Sequence, residues 1–204
     1  MLKGTQRGKE PSSQTDQADP ESLAHETFRW IIEPADGVIE GTAYSDGSVL
    51  DGPTPELARC GWAVAVLDVD GNITASAYGA PPPWIKDIGG AEAWAVLQVG
   101  LRALPGKVKY MIDCQPCVYM IHGGVTAATT ADRPLARVNA MVHDVLEGTP
   151  VERVVWMPAH KSKQAAGQYR CSNGDPITDE DIKGNAEADR LAKLAVEYHR
   201  VDPF

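Results

Sequence analysis

The chain has 204 residues, of which 43% are hydrophobic and 23% are charged, so it can bury a core of substantial size. The formal net charge of −9 excludes a protein whose whole surface attracts nucleic acid, and a nucleic-acid enzyme of this composition needs a local basic patch or metal ions. No apolar run is long enough for a membrane span or a secretory signal, and we therefore expect an intracellular protein that does not contact membranes.

The composition changes after the first part of the chain, which predicts one domain with a tail. Residues 1–30 are rich in Ser, Gln, Asp, Pro and Lys and poor in large apolar side chains. Such a segment cannot bury enough apolar surface to order itself, and we interpret it as a disordered tail or a linker. The folded domain is predicted over residues 36–202.

The first half of the domain predicts three strands, at residues 38–46, 60–68 and 73–79, which short turns join as antiparallel hairpins. The proline run "PPPW" then interrupts the pattern. Apolar residues at helical spacing predict an amphipathic helix over residues 89–104, which Pro105 and Gly106 are expected to end.

The second half alternates strands with helices. We predict a fourth strand at 107–113, helices at 114–124 and 134–148, a fifth strand at 151–158, a long polar loop, and a last helix at 184–200. The element order βββαβααβα indicates an α/β fold with a five-stranded mixed sheet, whose first three strands are antiparallel and whose faces carry helices.

Four carboxylates stand at unusual places in these elements. Asp46 and Asp113 are predicted at the carboxyl ends of strands, whereas Glu92 and Asp189 lie on or beside the apolar faces of helices. Each alone has an ordinary structural explanation: a turn residue, an acid favoured by the helix dipole in a first turn, an N-cap or a solvated helix residue. Together they favour a divalent metal site, because clustered like charges cannot all ionise unless cations share them.

The four acids and their contexts, "YSDGS", "GGAEAWAV", "MIDCQ" and "GNAEADRLAK", resemble the motifs of the type 1 ribonucleases H and of the ribonuclease H domains of retroelement polyproteins. The resemblance covers residues 36–200 and implies a ribonuclease H-like fold. It further implies hydrolysis of the RNA strand of an RNA/DNA hybrid with two Mg²⁺ or Mn²⁺ ions. In that scheme Asp46 bridges the ions, Glu92 and Asp113 bind one of them, and Asp189 binds the other.

The same resemblance suggests roles for residues beyond the four acids. His160 in "WMPAHKS" would shuttle a proton or assist product release, although a loop histidine is often an ordinary surface residue. Ser48, Gln115 and Asn185 would contact the hybrid, although Gln115 and Asn185 could also be simple helix caps. The implied partners are an RNA/DNA hybrid and a tethered reverse transcriptase or other polyprotein domain.

One feature leaves a second function open. The segment "HGGVTAATTADRP" lacks the basic handle with which some members of the family bind hybrids, so the chain could instead be a catalytically weak or inactive domain. Such a domain would bind nucleic acid or serve as a structural part of a reverse transcriptase or replication complex. The loop 161–184 offers Lys161, Lys163 and Arg170 to substrate phosphates, or is simply a solvated loop. The presence of all four acids favours an active hydrolase.

Overall fold

The computed structural model describes residues 27–54 and 57–200, and these contain one six-stranded sheet. The strand order is β1-β4-β3-β2-β5-β6. The strands are β1 (Arg29–Ile32), β2 (Ile39–Leu50), β3 (Arg59–Leu67), β4 (Ile73–Gly79), β5 (Ala103–Ile112) and β6 (Val154–Trp156). β2, β3 and β4 pair antiparallel, whereas β5 pairs parallel with both β2 and β6. The predicted mixed sheet is therefore confirmed.

The predicted count of five strands is wrong, because β1 adds a strand at one edge of the sheet. β1 pairs antiparallel with β4 and overlaps the last two residues of the predicted tail. Four mostly exposed residues carry too short a pattern to reveal a strand from sequence. The rest of that tail, residues 1–26, lies outside the described residues.

The described helices cover both faces of the sheet. They are α1 (Ile88–Gly100), α2 (Gln115–His122), α3 (Val125–Ala128), α4 (Ala136–Val145) and α5 (Asp179–Tyr198), with single 3-10 turns at Val151–Arg153 and Lys163–Ala165. None of these helices combines the length and apolar character needed to cross a bilayer.

Alternation along β3 divides the core between the two faces of the sheet, each of which carries one large cluster. Trp62, Val64 and Val66 pack with α1 and α4 on one face. On the other face Ala65 and Leu67 pack with Tyr44, Met111 and the beginning of α5, including Ile182. Both clusters are fully buried over most of their members, so the sheet is the rigid centre of the domain.

The prediction that the first strand ends at Asp46 is wrong, since β2 continues to Leu50. The parallel pairing with β5 stops at Ser45↔Ile112, but the antiparallel pairing with β3 runs on to Leu50↔Arg59. The Asp-Gly sequence was interpreted as a turn because both residues favour turns. Here Gly47 lies in an extended strand, and its lack of a side chain lets α1 pass close to β2.

Two helix boundaries also differ from the prediction. α1 ends at Gly100 rather than at residue 104, because the chain turns there into β5, which already pairs at Ala103 with Ile39. α5 begins at Asp179 rather than at residue 184. A capping box starts it, in which Thr178 accepts a hydrogen bond from the Asp181 amide and Asp181 accepts one from the Thr178 amide.

Candidate metal centre

Three carboxylates meet beside the middle of the sheet. Asp46 lies in β2, Glu92 in the second turn of α1, and Asp113 directly after β5. One ligand oxygen of each lies within 4.8 Å of those of the other two. The register explains half of this arrangement, because Asp46 and Asp113 each follow the last parallel pair, Ser45↔Ile112, and are therefore neighbours.

Gly47 brings the third carboxylate to the pair. A Cβ atom built on Gly47 would lie 2.5 Å from the backbone nitrogen of Glu92 and 2.8 Å from the carbonyl carbon of Ala91. α1 can therefore cross β2 at this point only over a residue without a side chain. The Gly47 amide also donates a hydrogen bond to the Glu92 carboxylate. Glycine in "SDGS" thus determines how closely Glu92 approaches Asp46.

Burial and mutual repulsion make the ionised forms of these acids costly. Asp46 is 6% exposed, and burial, followed by the charges of Asp113 and Asp189, raises its pKa to about 8, against a smaller opposing effect of Lys193. Burial is likewise the first cause that raises the pKa of Glu92 and that of Asp113. Near neutral pH the three groups cannot all be charged unless a cation neutralises them.

The donor set fits a hard divalent cation. All the atoms that converge are carboxylate oxygens, the ligands that Mg²⁺ and Mn²⁺ prefer. Glu92 Oε2 is buried and has no hydrogen-bond partner among the described residues, an arrangement that is costly unless a ligand satisfies the atom. The site therefore combines buried acidic groups with a carboxylate oxygen that no described residue satisfies, as a metal centre requires.

The fourth predicted acid lies close by, but outside this group of three. Asp189 is on α5, and its carboxylate pairs with the ammonium of Lys193 at 2.8 Å. Its charge nevertheless raises the pKa of both Asp46 and Asp113, so it lies near them. Sequence reasoning overlooked Lys193, although its position four residues after an acid on a helix is a recognisable signal for an ion pair.

Two further predicted residues border the carboxylates. Asn185 is 4% exposed, and its Nδ2 donates to Asp113 Oδ2 at 3.3 Å, while its Oδ1 is buried and has no hydrogen-bond partner within residues 27–54 and 57–200. His160 is exposed, adopts a positive φ of 49°, and lines a depression of about 70 Å³ together with Asn185 and Asp189. The charge of His160 lowers the pKa of Asp113, which places the imidazole near the cluster.

The remaining predicted contacts lie at the margin. Ser48 is half-buried in β2 opposite Gly61. Gln115 is exposed at the first position of α2, and its Nε2 donates to the Tyr119 hydroxyl at 2.9 Å. Their roles in substrate binding stay predictions.

A contact that the sequence did not reveal holds α5 against the site. The Tyr44 hydroxyl donates to Asp181 Oδ1 at 2.8 Å, and both residues are buried. Burial and the nearby Asp181 raise the pKa of Tyr44. One turn along the helix, a Cβ on Gly184 would overlap the Tyr44 ring. Since Tyr44 lies two residues before Asp46 on the same strand face, this contact fixes Asn185 relative to the carboxylates.

A wider, mostly apolar cleft adjoins the centre. Its volume is about 570 Å³, and it is lined by the beginnings of α1 and α4 and by α2, with Cys114, Pro116, Met120 and Leu135 among the lining residues. Cys114 directly follows Asp113, so the cleft opens beside the carboxylates. Near this cleft, Trp84 has the guanidinium of Arg137 over its ring, 4.6 Å from the centroid.

No protein-family model and no curated protein sequence matches the chain. Solved structures do match. Prototype foamy virus protease-reverse transcriptase superposes with a TM-score of 0.54 and 19% identity, over 77% of this chain and 21% of that one. LC11-RNase H1, solved in complex with an RNA/DNA hybrid, gives 0.51 and 16%, over 77% and 96%. The chain has the ribonuclease H fold.

A third match supports the same fold. The N-terminal RNase H domain of rv2228c from Mycobacterium tuberculosis, solved as a fusion with maltose binding protein, gives a TM-score of 0.50 and 15% identity over 78% of this chain and 96% of that one. The resemblance seen in the sequence motifs is thus confirmed for the fold. At these identities activity does not follow from fold, and the functional assignment rests on the site.

Proposed function

We propose that this chain is a metal-dependent endoribonuclease that hydrolyses the RNA strand of RNA/DNA hybrids. The single observation that carries the proposal is the convergence of three carboxylates, those of Asp46 and Glu92 buried and that of Asp113 partly buried, with ligand oxygens within 4.8 Å of one another, on a ribonuclease H fold. The hybrid is the proposed substrate because LC11-RNase H1, which shares the fold, was solved bound to one.

Asp46, Glu92 and Asp113 would hold Mg²⁺ or Mn²⁺, and Asp189 would contribute to a second ion once its carboxylate leaves Lys193. A pair of such ions supplies Lewis-acid stabilisation of the reacting phosphate and of the leaving oxygen. The chain keeps the ligand oxygens near one another in advance, through the strand register and through the contact between Gly47 and α1.

The neighbouring residues would position the acids and handle a proton. Asn185 donates to Asp113 Oδ2, which leaves Oδ1 of that carboxylate available for a cation. His160 borders the same depression as Asn185 and Asp189, and a protonated imidazole there could donate to the O3′ leaving group of the RNA. The roles of His160, Ser48 and Gln115 rest on position alone.

One observation favours the second candidate function, a weak or inactive domain. Lys193 pairs with the carboxylate of Asp189, the acid that would contribute to a second ion. A domain that binds hybrids without cutting them would then act within a larger protein. A tethered reverse transcriptase is the proposed partner, because the foamy virus match is a protease-reverse transcriptase of which this chain spans 21%.

The deciding experiment compares cleavage of a labelled RNA/DNA hybrid, duplex RNA and duplex DNA in Mg²⁺. We expect cleavage of the RNA strand of the hybrid alone, and loss of that activity by about 1000-fold in Asp46→Asn. Asp144→Asn, an exposed acid on α4, is the matched control and should cut like the unmodified protein. Equal activity of Asp46→Asn and the unmodified protein would refute the metal assignment. Hybrid binding without cleavage would support the second candidate.

A further inference from the structure

The long loop between β6 and α5 is an ordered unit. Backbone hydrogen bonds close it on itself, from the Gly167 amide to Ile177 O at 2.8 Å and from the Ile177 amide to Tyr169 O at 2.9 Å. It is also bound to the sheet edge, because the Ser172 amide donates to Trp156 O and the Trp156 amide donates to Ser172 Oγ, each at 2.9 Å. These bonds hold the backbone of residues 167–177 against β6.

The loop also contributes to the core on the α5 face of the sheet. Ala165, Cys171 and Ile177 are buried in one cluster with Tyr44 and Met157. Tyr44 belongs to the strand that carries Asp46, and Met157 directly follows β6. The loop is thus packed on the elements that build the metal centre, and its distance from that centre is set by buried contacts.

Among the three cations of this loop, Lys161 has the most defined setting. Its ammonium lies 4.3 Å from the ring centroid of Tyr169, which is 44% exposed. Arg170 is turned into its own loop, where Nη1 donates to Gly174 O at 2.7 Å. Lys163 is exposed on the 3-10 turn. A lysine held over an aromatic ring is pre-oriented and loses less conformational freedom when it binds an anion.

Lys161 also lies beside the reaction site. It lines the depression of about 70 Å³ that His160, Asn185 and Asp189 line. A phosphodiester approaching the buried carboxylates of a chain with net charge −9 meets repulsion, which a neighbouring ammonium reduces. Lysine is a suitable phosphate ligand, because it binds as a point charge without a fixed geometry.

We propose that Lys161, held over the ring of Tyr169, binds a backbone phosphate of the hybrid next to the cleaved bond. The inference rests on the proposed function and singles out Lys161 among the three loop cations that the sequence offers to substrate phosphates. It also assigns a role to the loop, which supplies locally the positive charge that "HGGVTAATTADRP" does not. Lys161 supports affinity and leaves the chemical step unchanged.

The test measures cleavage kinetics in the otherwise unmodified protein. Hybrid binding is measured separately by fluorescence anisotropy, in protein that also carries Asp46→Asn and therefore does not cut the hybrid. We expect Lys161→Ala to raise KM and the dissociation constant about tenfold, with kcat within about twofold. The slope of log affinity against log salt should fall by about 1, the signature of one lost phosphate contact. Tyr169→Leu should raise KM about threefold, whereas Tyr169→Phe keeps the ring and the affinity.

Lys107→Ala is the control, because it removes an exposed lysine of β5 that lines neither the depression nor the wider cleft beside the carboxylates. Equal affinities and salt slopes for Lys161→Ala and Lys107→Ala would refute this inference without affecting the proposed function. It would also be refuted if Lys161→Ala changed only the Mg²⁺ concentration for half-maximal activity, since Lys161 would then act on the carboxylates. If the unmodified protein neither binds nor cuts hybrids, the proposed function fails first and the inference with it.

Discussion

Two buried carboxylates in this protein have opposite surroundings. Asp181, at the beginning of α5, is 9% exposed and fully engaged, by the Tyr44 hydroxyl on Oδ1 and by the Thr178 amide and hydroxyl on Oδ2. Glu92, on α1, is 6% exposed, has a buried oxygen without a hydrogen-bond partner in the part of the chain that the structure describes, and faces Asp46 and Asp113. Burial alone does not distinguish a structural acid from a ligand-binding one. Whether the protein itself satisfies the oxygens does.

The largest effect expected from this contrast is on activity. Glu92→Gln should lower hybrid cleavage by about 1000-fold, because it removes a charged ligand from the metal centre. Asp181→Asn should keep activity within about tenfold at a temperature where it is folded, because it only loosens the support of α5. Rates measured in saturating Mg²⁺ check both. Similar losses in the two variants would remove the distinction between the acids.

The next largest effect concerns the packing that accompanies the satisfied acid. Gly184→Ala places a methyl group in the ring of Tyr44 and should destabilise the protein by about 3 kcal/mol. The midpoint of urea unfolding measures this change. Combining Gly184→Ala with Tyr44→Leu makes room for the methyl group, and the pair should cost less than the sum of the two single variants. Additive costs would show that the ring does not set the approach of α5.

Opposite signs are expected when the two acids are neutralised in metal-free protein. Asp181→Asn should lower the free energy of unfolding by about 2 kcal/mol, because a carboxylate that accepts three hydrogen bonds is replaced by an amide that cannot accept all of them. Glu92→Gln should raise it by about 1 kcal/mol, since folding then no longer buries an acid that must either carry a charge near two others or take up a proton. Thermal unfolding in EDTA decides the signs. Destabilisation by both changes would mean that Glu92 is also structural.

The smallest expected effect, taken per pH unit, is a dependence of stability on pH to which the unsatisfied cluster contributes. The folded-state pKa of Asp46, about 8, lies above its ordinary value of 3.8, so the folded chain binds the extra proton between these values. In EDTA, stability should therefore fall as pH rises through this window, by about 1 kcal/mol per pH unit for this group. Asp46→Asn should flatten the profile, and Mg²⁺ should restore stability of the unmodified protein at the alkaline end. A profile that rises with pH would contradict the assignment.

Much of this site was predictable because local signals coincide there. Asp46 and Asp113 could be placed because each follows a run of extended residues, and Glu92 because it interrupts an apolar helix face. The strand containing Asp46 was nevertheless ended too early. Gly47 is a residue type that is common in turns, but here it allows a close contact between β2 and α1. Only the position of α1 distinguishes these two roles.

The parts that the sequence did not predict depend on distant contacts or on very short patterns. Tyr44 and Asp181 are 137 positions apart, and no local periodicity connects them. The edge strand β1 has four residues, too few for alternation to be recognised. The spacing of Asp189 and Lys193 on one helix face is a signal for their ion pair, but the resemblance to the family assigns a role to the acid alone.

The way in which the group of three is assembled has a consequence for folding. Its acids come from β2, from α1 and from the residue after β5, so their oxygens approach one another only when all three segments have docked. An ion that requires all three ligands binds the native chain and has little affinity for partly folded chains. Its stabilising effect should grow with the logarithm of its free concentration, which would make the cation a probe of complete folding as well as a reagent for chemistry.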